Sequence, residues 1–442
     1  MKALVIGAGI VGVTTAWALR REGFEVDVVD RADGVAREAS LGNAGVIAPA
    51  YVTPWAAPGM PGKILRYALA ADSPVIFRPR ASLAQWRWIA QWLRECHAGR
   101  FRLNKPRMQR LAVHSRQRLH ALRAELDIDY HASSGYLQLL RSERDRAMAE
   151  PALAVLREAG VRFDLLDAAG CESVEPALAS RRAPLLGGIH LAGDEAGDCA
   201  AFARSLASHC EAAGVRFRMG CSVQGFERDG TRLVAARVAP DGLPGEGRAC
   251  GDGGSPDAGG SIRADLFVLA AGADSVPLAA SLGIALPIWP VKGYSITVDL
   301  DGADTVHAPR AALMDEAYKT AITRLGARVR VAGTAELGSR GMQLRPAAMR
   351  TLRRVLADWF PRVATPAALQ AARSWVGRRP MTPDGPAILG RTPIDNLLLN
   401  VGHGSTGWAM SCGSADVVAA LAAGRPAPID LDGLTLDRYG RR

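Results

Sequence analysis

No uninterrupted apolar run of about 18 residues occurs in the 442-residue chain, so no transmembrane helix is expected. Cysteine is sparse: Cys96, Cys171, Cys199, Cys210, Cys221, Cys250 and Cys412 form no CxxC motif and show no metal-ligand spacing. Seven scattered thiols, an odd number, fit a reduced cytosolic compartment and argue against structural disulfides. There is no Ser-His-Asp order, no metal cluster, no phosphate-transfer loop and no internal repeat. The opening MKALVIGAGIVGVTTAWALRR imitates a secretory leader, with Lys2 ahead of an apolar stretch. Arg20, Arg21 and Glu22 follow directly, without a small-residue cleavage site, so the segment reads as mature sequence.

What is present is an ordinary globular composition, 48% hydrophobic and 22% charged. The length predicts two or three domains with large cores. The formal charge of +10 is unevenly placed: between Arg78 and Arg123 twelve Lys or Arg stand against one acid, Glu95. The remainder of the chain is close to neutral. Such a patch is either a solvated helical face or a peripheral contact with anionic membrane lipid. Nucleic acid is not expected as a partner, because no aromatic stacking platform or recognition motif accompanies the charge.

Ala3 to Ile6 reads as a short buried strand, Gly7 to Gly12 as a turn and Val13 to Arg21 as a helix. A second strand, FEVDVVD, ends at Asp30, giving a βαβ opening of the parallel-sheet kind. A Gly-, Ala- and Pro-rich loop spans Ser40 to Gly62. Trp86 to Leu93 predicts an amphipathic helix with Trp86, Ile89 and Leu93 on one stripe, Trp88 and Trp92 beside it, and the tryptophans packed in the core. Basic helical sequence runs from Lys105 to Glu125, with a break expected at Pro106. After GGIHL come a helix from Ala200 to Ala213, VRFRMG, two short strands and the strand ADLFVLAAG (Ala264 to Gly272). The Gly-rich stretch Asp241 to Ser261 reads as a surface loop between hairpin strands. Pro290 to about Arg345 is β-rich, and NLLLNVG (Asn396 to Gly402) feeds a helix starting near Ser405.

The segment GAGIVG, comprising Gly7, Ala8, Gly9, Ile10, Val11 and Gly12, is a GxGxxG, weak by itself. Its context is specific: a strand before it, a helix after it, and the acid Asp30 eighteen residues beyond Gly12. Gly7 permits the tight turn, Gly9 lets a pyrophosphate approach the backbone, and Gly12 lets helix and strand pack closely. The helix N-terminus offers N–H groups to phosphate, and Asp30 suits ribose hydroxyls. These residues leave NAD and FAD both open. FAD is favoured by two further segments whose small residues suit close cofactor approach. One is ASLGNAGVI, with Ser40, Asn43, Ala44, Gly45 and Val46; the other is FVLAAGADS, with Ala271 and Gly272. Gly404, Ser405, Thr406 and Gly407 open a helix whose dipole would stabilise negative charge on the flavin N1–C2=O edge. His403 beside them reads either as a catalytic group or as a backbone hydrogen-bonding residue. In VGRRPMTPDGPAILG, Arg379 is the candidate clamp for a substrate carboxylate, with Arg378 as its exposed neighbour. Cys412 reads as a small helix residue rather than a flavin attachment point.

On these residues the chain resembles the small subunit of bacterial D-amino-acid dehydrogenases, within the D-amino-acid oxidase/glycine oxidase superfamily. The likeness runs from Lys2 to about Tyr439. It is carried by YVTPWAAPG, NKPRMQRLAVHSRQRLHALRAE, DEAGDC, PVKGYS, DEAYKTAITR, RVRVAGTAEL, RPMTPDG and GHGSTGWAMSCGS. The resemblance implies FAD-dependent oxidation of D-amino acids to 2-oxo acids and ammonia, with electrons passed to a quinone or other respiratory acceptor. It places flavin contacts on Gly7, Gly9, Gly12, Asp30, Arg31, Ser40, Asn43, Gly45, Val223 and the Gly404 to Gly407 turn, and the clamp on Arg379. The family's loop reads closer to ANAGQISPGY; here it is GNAGVIAPAY, so Val46, Ala48 and Ala50 differ near the flavin.

The fold so implied is α/β: a Rossmann-like FAD-binding domain (1–60, 187–287 and 376–442) interleaved with an α+β substrate domain (61–186 and 288–375). The expected location is cytoplasmic, with the inner face of the cell membrane as its alternative. Tyr51, Tyr294 and Tyr318 are candidates for lining the substrate pocket. Hydride transfer from Cα to flavin N5 would rest on positioning, without a strong protein base. Competing readings are an oxygen-using D-amino-acid or glycine oxidase, a D-proline or hydroxyproline dehydrogenase, and a non-enzymatic flavin-bound membrane scaffold.

Overall fold

Strand Lys2–Ile6 is almost wholly apolar because both of its faces are covered. In the computed structural model, which describes residues 1–67, 74–158, 160–241, 250, 260–338 and 341–440, it pairs in parallel with Glu25–Asp30 and with Leu266–Leu269. Arg216–Met219 extends this sheet on one side, and Leu397–Val401 with antiparallel Ile388–Arg391 on the other, making six strands. Alternation sends Ala3 and Val5 to one core and Leu4 and Ile6 to the other. On the first face pack the helices Ile10–Arg21, Cys199–Ala212 and Gly407–Ala422; on the second packs a three-stranded antiparallel sheet. Most of the expected loop Asp241 to Ser261 lies outside the described residues.

A ten-stranded mixed sheet forms the other half. Its central order is Arg373–Met381, Trp289–Asp299, Arg328–Leu337, Thr320–Arg324, Ala312–Asp315, Ser133–Leu140, Gly187–Ala196 and Val46–Ile47. The helix Pro346–Trp359 seals its outer face with Met349, Leu352, Leu356 and Trp359, the spacing of one helical stripe. Trp359 Nε1 donates to Asp315 Oδ2 at 2.7 Å, and Arg141 bonds the same oxygen at 2.6 Å, so the buried carboxylate is fully engaged.

Three expectations are corrected here. In the helix Leu83–Glu95 the buried stripe is Gln85, Trp88 and Trp92, while Trp86 and Leu93 are 47% and 48% exposed. Either stripe is apolar enough to bury; position decides, since Trp88 Nε1 reaches the Met381 carbonyl at 3.1 Å and Trp55 packs on both Trp88 and Trp92. The helix Ala98–Leu126 runs unbroken through Pro106. The ring points outward while Asn104, Lys105 and Met108 around it are buried, so tertiary packing outweighs one missing N–H bond. Finally, Cys221 and Cys250 form a disulfide with Cα atoms 5.5 Å apart. Pairing of Cys221 with Pro240 returns the chain beside Cys221, a proximity that scattered cysteines do not reveal.

The basic tract divides in two. Arg107 and Arg110 pair with Asp432 and Asp430, His114 and Arg118 with Asp416, and Arg116 with Asp194. Arg78, Arg87, Arg94 and Arg102 are exposed and have no acidic partner among the described residues. No described helix is long and apolar enough to cross a membrane.

Candidate active site

The first strand ends at Gly7, where φ is +113° and a Cβ would lie 2.5 Å from the Ala270 carbonyl oxygen; only glycine lets the two strand ends approach this closely. A Cβ on Gly12 would stand 2.7 Å from the Gly7 carbonyl carbon and overlap its oxygen. Asp30, at the end of the second strand, accepts from Ala8 N at 2.6 Å and from Ala32 N at 2.8 Å. Burial raises its pKa against the pull of these donors. Ser40 Oγ accepts from Ile10 N at 3.0 Å, which ties the second loop to the helix start. Asn43 Oδ1 accepts from Gly45 N at 2.8 Å.

These elements wall a cavity of about 840 Å³. One end is formed by Gly7, Gly9, Ile10, Val11, Asp30 and Arg31. Ser40, Asn43, Ala44, Val46, Val223, Ala271 and Gly272 also line it, as do Gly404, Ser405, Thr406 and Gly407 at the entry to the last helix. Ala8, Gly12 and Gly45 do not line it: they shape the backbone behind the wall. The helices Ile10–Arg21 and Gly407–Ala422 both begin at the cavity without a side-chain cap on their N-cap residues. Beyond Ile10 N, which donates to Ser40 Oγ, such helix N-termini present N–H groups and a positive dipole end to an anionic ligand, and this fits the pyrophosphate and flavin ends of FAD.

The substrate end centres on Arg379, which projects from the strand Arg373–Met381 over Gly293. Its Nη1 donates to the Thr334 carbonyl at 3.1 Å and the Lys292 carbonyl at 3.5 Å. No acid among the described residues pairs with it, and burial pushes its pKa down to about 10. Arg378 is corrected: it is half-buried, bonding Asp274 at 3.1 and 3.0 Å, and Asp274 also holds Arg31 at 3.1 Å.

His403 lies on the wall, but its Nε2 is 3.0 Å from Ser414 Oγ on the last helix, and burial lowers its pKa to about 3. Tyr51 lines the cavity with its ring 5.1 Å from Tyr136, and burial raises its pKa. Tyr294 also lines it and donates to Glu336. Tyr318 does not: in the turn after Ala312–Asp315, Glu316 and Lys319 face the cavity, while Tyr318 packs beneath Arg141 and Arg354. Cys412 is buried among Tyr130 and Trp408, away from the cavity. Unforeseen wall residues are Glu316, Lys319, Thr334 and Trp375. For Glu316 and Lys319 the segment DEAYKTAITR, and for Thr334 the segment RVRVAGTAEL, carried a signal without a chemical role.

The DAO family profile, described as FAD dependent oxidoreductase, matches residues 2–421. The chain is 44% identical over 440 residues to the D-amino acid dehydrogenase of Rhizorhabdus wittichii, covering 99% of this chain and 100% of that one. It is equally 44% identical, with the same coverage, to the D-amino acid dehydrogenase of Granulibacter bethesdensis. The crystal structure of glycine oxidase from Geobacillus kaustophilus has the same fold, with a TM-score of 0.73 at 20% identity, covering 99% of this chain and 98% of that one. The glycine-rich turn, the uncapped helix ends and the full-length match together show that this chain belongs to the DAO family of FAD-dependent oxidoreductases, with FAD as its cofactor.

Proposed function

We propose that this protein oxidises D-amino acids to 2-oxo acids and ammonia and delivers the electrons to a quinone or other respiratory acceptor. One observation carries the substrate assignment: Arg379 is a half-buried guanidinium without a carboxylate partner among the described residues, on the same cavity as the FAD fingerprint. Such a cation calls for an anion, and a planar fork suits a carboxylate. The two relatives 44% identical over their full length carry the name D-amino acid dehydrogenase, which supports the choice of amino acid.

When bound, FAD supplies the hydride acceptor at N5. The chain's own residues then bind and orient. Arg379 fixes the carboxylate, so the substrate pivots on one end and presents Cα–H. Neither the candidate histidine nor the candidate tyrosines offer a strong base: His403 is neutral and bonded to Ser414, and Tyr51 and Tyr294 are held protonated. The amine therefore enters neutral, and His403 serves as a positioning residue that holds the Gly404 to Gly407 turn against the helix. Rate enhancement rests on orientation within the cavity.

The two-domain division belongs to this reading. The six-stranded sheet draws its strands from 2–30, 216–219, 266–269 and 388–401 and supports an interleaved FAD domain, while strand Gly187–Ala196 goes with the substrate sheet. A peripheral contact with anionic lipid is supported by Leu83, Trp86 and Leu93, exposed among Arg78, Arg87 and Arg94. A small-subunit role would add a second subunit. The test is Arg379→Ala, which should keep FAD bound and raise KM for D-alanine by about 100-fold or more, the loss from breaking a buried charge pair. An unchanged KM would remove the assignment.

A further inference from the structure

Five described non-glycine residues hold a positive φ, and Thr334, at +53°, is the only β-branched one among them. For a β-branched side chain that conformation is strained, and strain of this kind persists where the surroundings enforce it for a purpose. Thr334 is the extra residue of a β-bulge: Tyr294 pairs with Gly333 and Gly293 with Ala335, so Thr334 has no opposite number. The neighbouring glycine answers a different need, since a Cβ on Gly333 would lie 2.5 Å from Thr320 Oγ1. The position that would favour glycine's freedom thus carries a side chain instead.

Thr334 is 4% exposed and belongs to the cavity wall, and its Oγ1 is buried without a hydrogen-bond partner. The carbonyl of the same residue takes Nη1 of Arg379 at 3.1 Å. Nη1 is held by the Thr334 and Lys292 carbonyls, while Nη2 and Nε lie over Gly293 without a carboxylate partner among the described residues. A carboxylate offers about four lone-pair sites, of which a guanidinium edge fills two. We infer that Thr334 Oγ1 is the second anchor of the substrate, donating a hydrogen bond to the carboxylate that Arg379 clamps. The bulge lets one residue brace the guanidinium with its carbonyl and meet the same ligand with its hydroxyl. This inference rests on the carboxylate-clamp reading of Arg379.

The test uses the full-length holoenzyme, with propionate as an amine-free carboxylate whose binding perturbs the flavin absorbance. Thr334→Val keeps the branching and removes the hydroxyl; Thr334→Ser restores it. Val should weaken propionate about tenfold and raise the D-alanine KM by a like factor, the usual effect of losing a hydrogen bond to a charged group. FAD content and Tm should hold, and Ser should recover most of the binding. Thr334→Gly, which relieves the backbone strain, should raise Tm yet weaken propionate as Val does. Propionate binding unchanged in Val or in Gly overturns the inference. If Arg379→Ala loses propionate while Thr334→Val keeps it, the Thr334 anchor alone falls. If Arg379→Ala also keeps it, the clamp reading falls with it.

Discussion

Gly9 and Gly12 belong to one motif but answer to different neighbours, and that difference makes a sharp test of the cofactor site. At Gly12 an added Cβ would be 2.7 Å from the Gly7 carbonyl carbon and closer still to its oxygen, so helix and turn must separate. Overpacking of this sort destabilises by about 1–3 kcal/mol. At Gly9 the nearest atom to an added Cβ is Ser40 Oγ, at 3.4 Å, and the backbone (φ −70°, ψ 177°) suits any residue. Nothing in the protein demands glycine there; only a ligand lying against that backbone does. Gly9→Ala should therefore leave the apoprotein's Tm unchanged. It should weaken FAD by about 10- to 100-fold, the equivalent of one charge-assisted hydrogen bond or about 1.5–3 kcal/mol. Gly12→Ala should lower both quantities. Reconstitution of apoprotein followed by flavin fluorescence, beside thermal melts of the apo forms, reads the two effects separately. Unchanged FAD affinity in Gly9→Ala, or an apo Tm loss matching that of Gly12→Ala, would refute the reasoning.

Two further outcomes are expected. His403 is kept neutral by burial, with its pKa lowered to about 3, so its contribution to stability is present above the ordinary imidazole value and is lost as pH falls toward 3. In urea melts at pH 7 and pH 4, His403→Asn should lose less stability across the interval than the parent protein, and an equal loss would count against a neutral buried ring. In cosedimentation with anionic vesicles, Arg87→Glu with Arg94→Glu should abolish binding, at about 1 kcal/mol for each basic residue removed from the surface. Arg107→Ala with Arg110→Ala should spare binding, because those side chains already pair with Asp432 and Asp430. Equal effects of the two double variants would contradict the division of the tract.

The FAD end of the site was legible because its constraints are local. Gly7, Gly12 and Asp30 lie on one strand-turn-helix-strand unit, where close backbone approach dictates the two glycines and the Ala8 and Ala32 N–H groups meet the Asp30 carboxylate. The substrate end is assembled from strands far apart in sequence, and there reading by pattern ran out. Arg379 was distinguishable from Arg378 by its place before a proline, yet the pairing of Arg378 with Asp274 depends on a fold that brings residues 104 apart together. Tyr318 was misplaced because a turn following a strand breaks simple alternation, so Glu316 and Lys319 face the cavity instead. Trp86 and Trp88 are equally apolar, and only the position of Met381 decides which one is buried. Thr334 lay inside the matching segment RVRVAGTAEL but showed no chemical role there: its place depends on a bulge set by register with the strand Trp289–Asp299.

The central claim is that the cavity oxidises D-amino acids on bound FAD. Anaerobic mixing of the holoprotein with a panel of D- and L-amino acids, including both prolines and glycine, tests it most directly through the flavin band near roughly 450 nm. Bleaching by several D-amino acids and by none of their L-forms is the expected result. Bleaching by L-forms, or none by any amino acid while FAD stays bound, would contradict it.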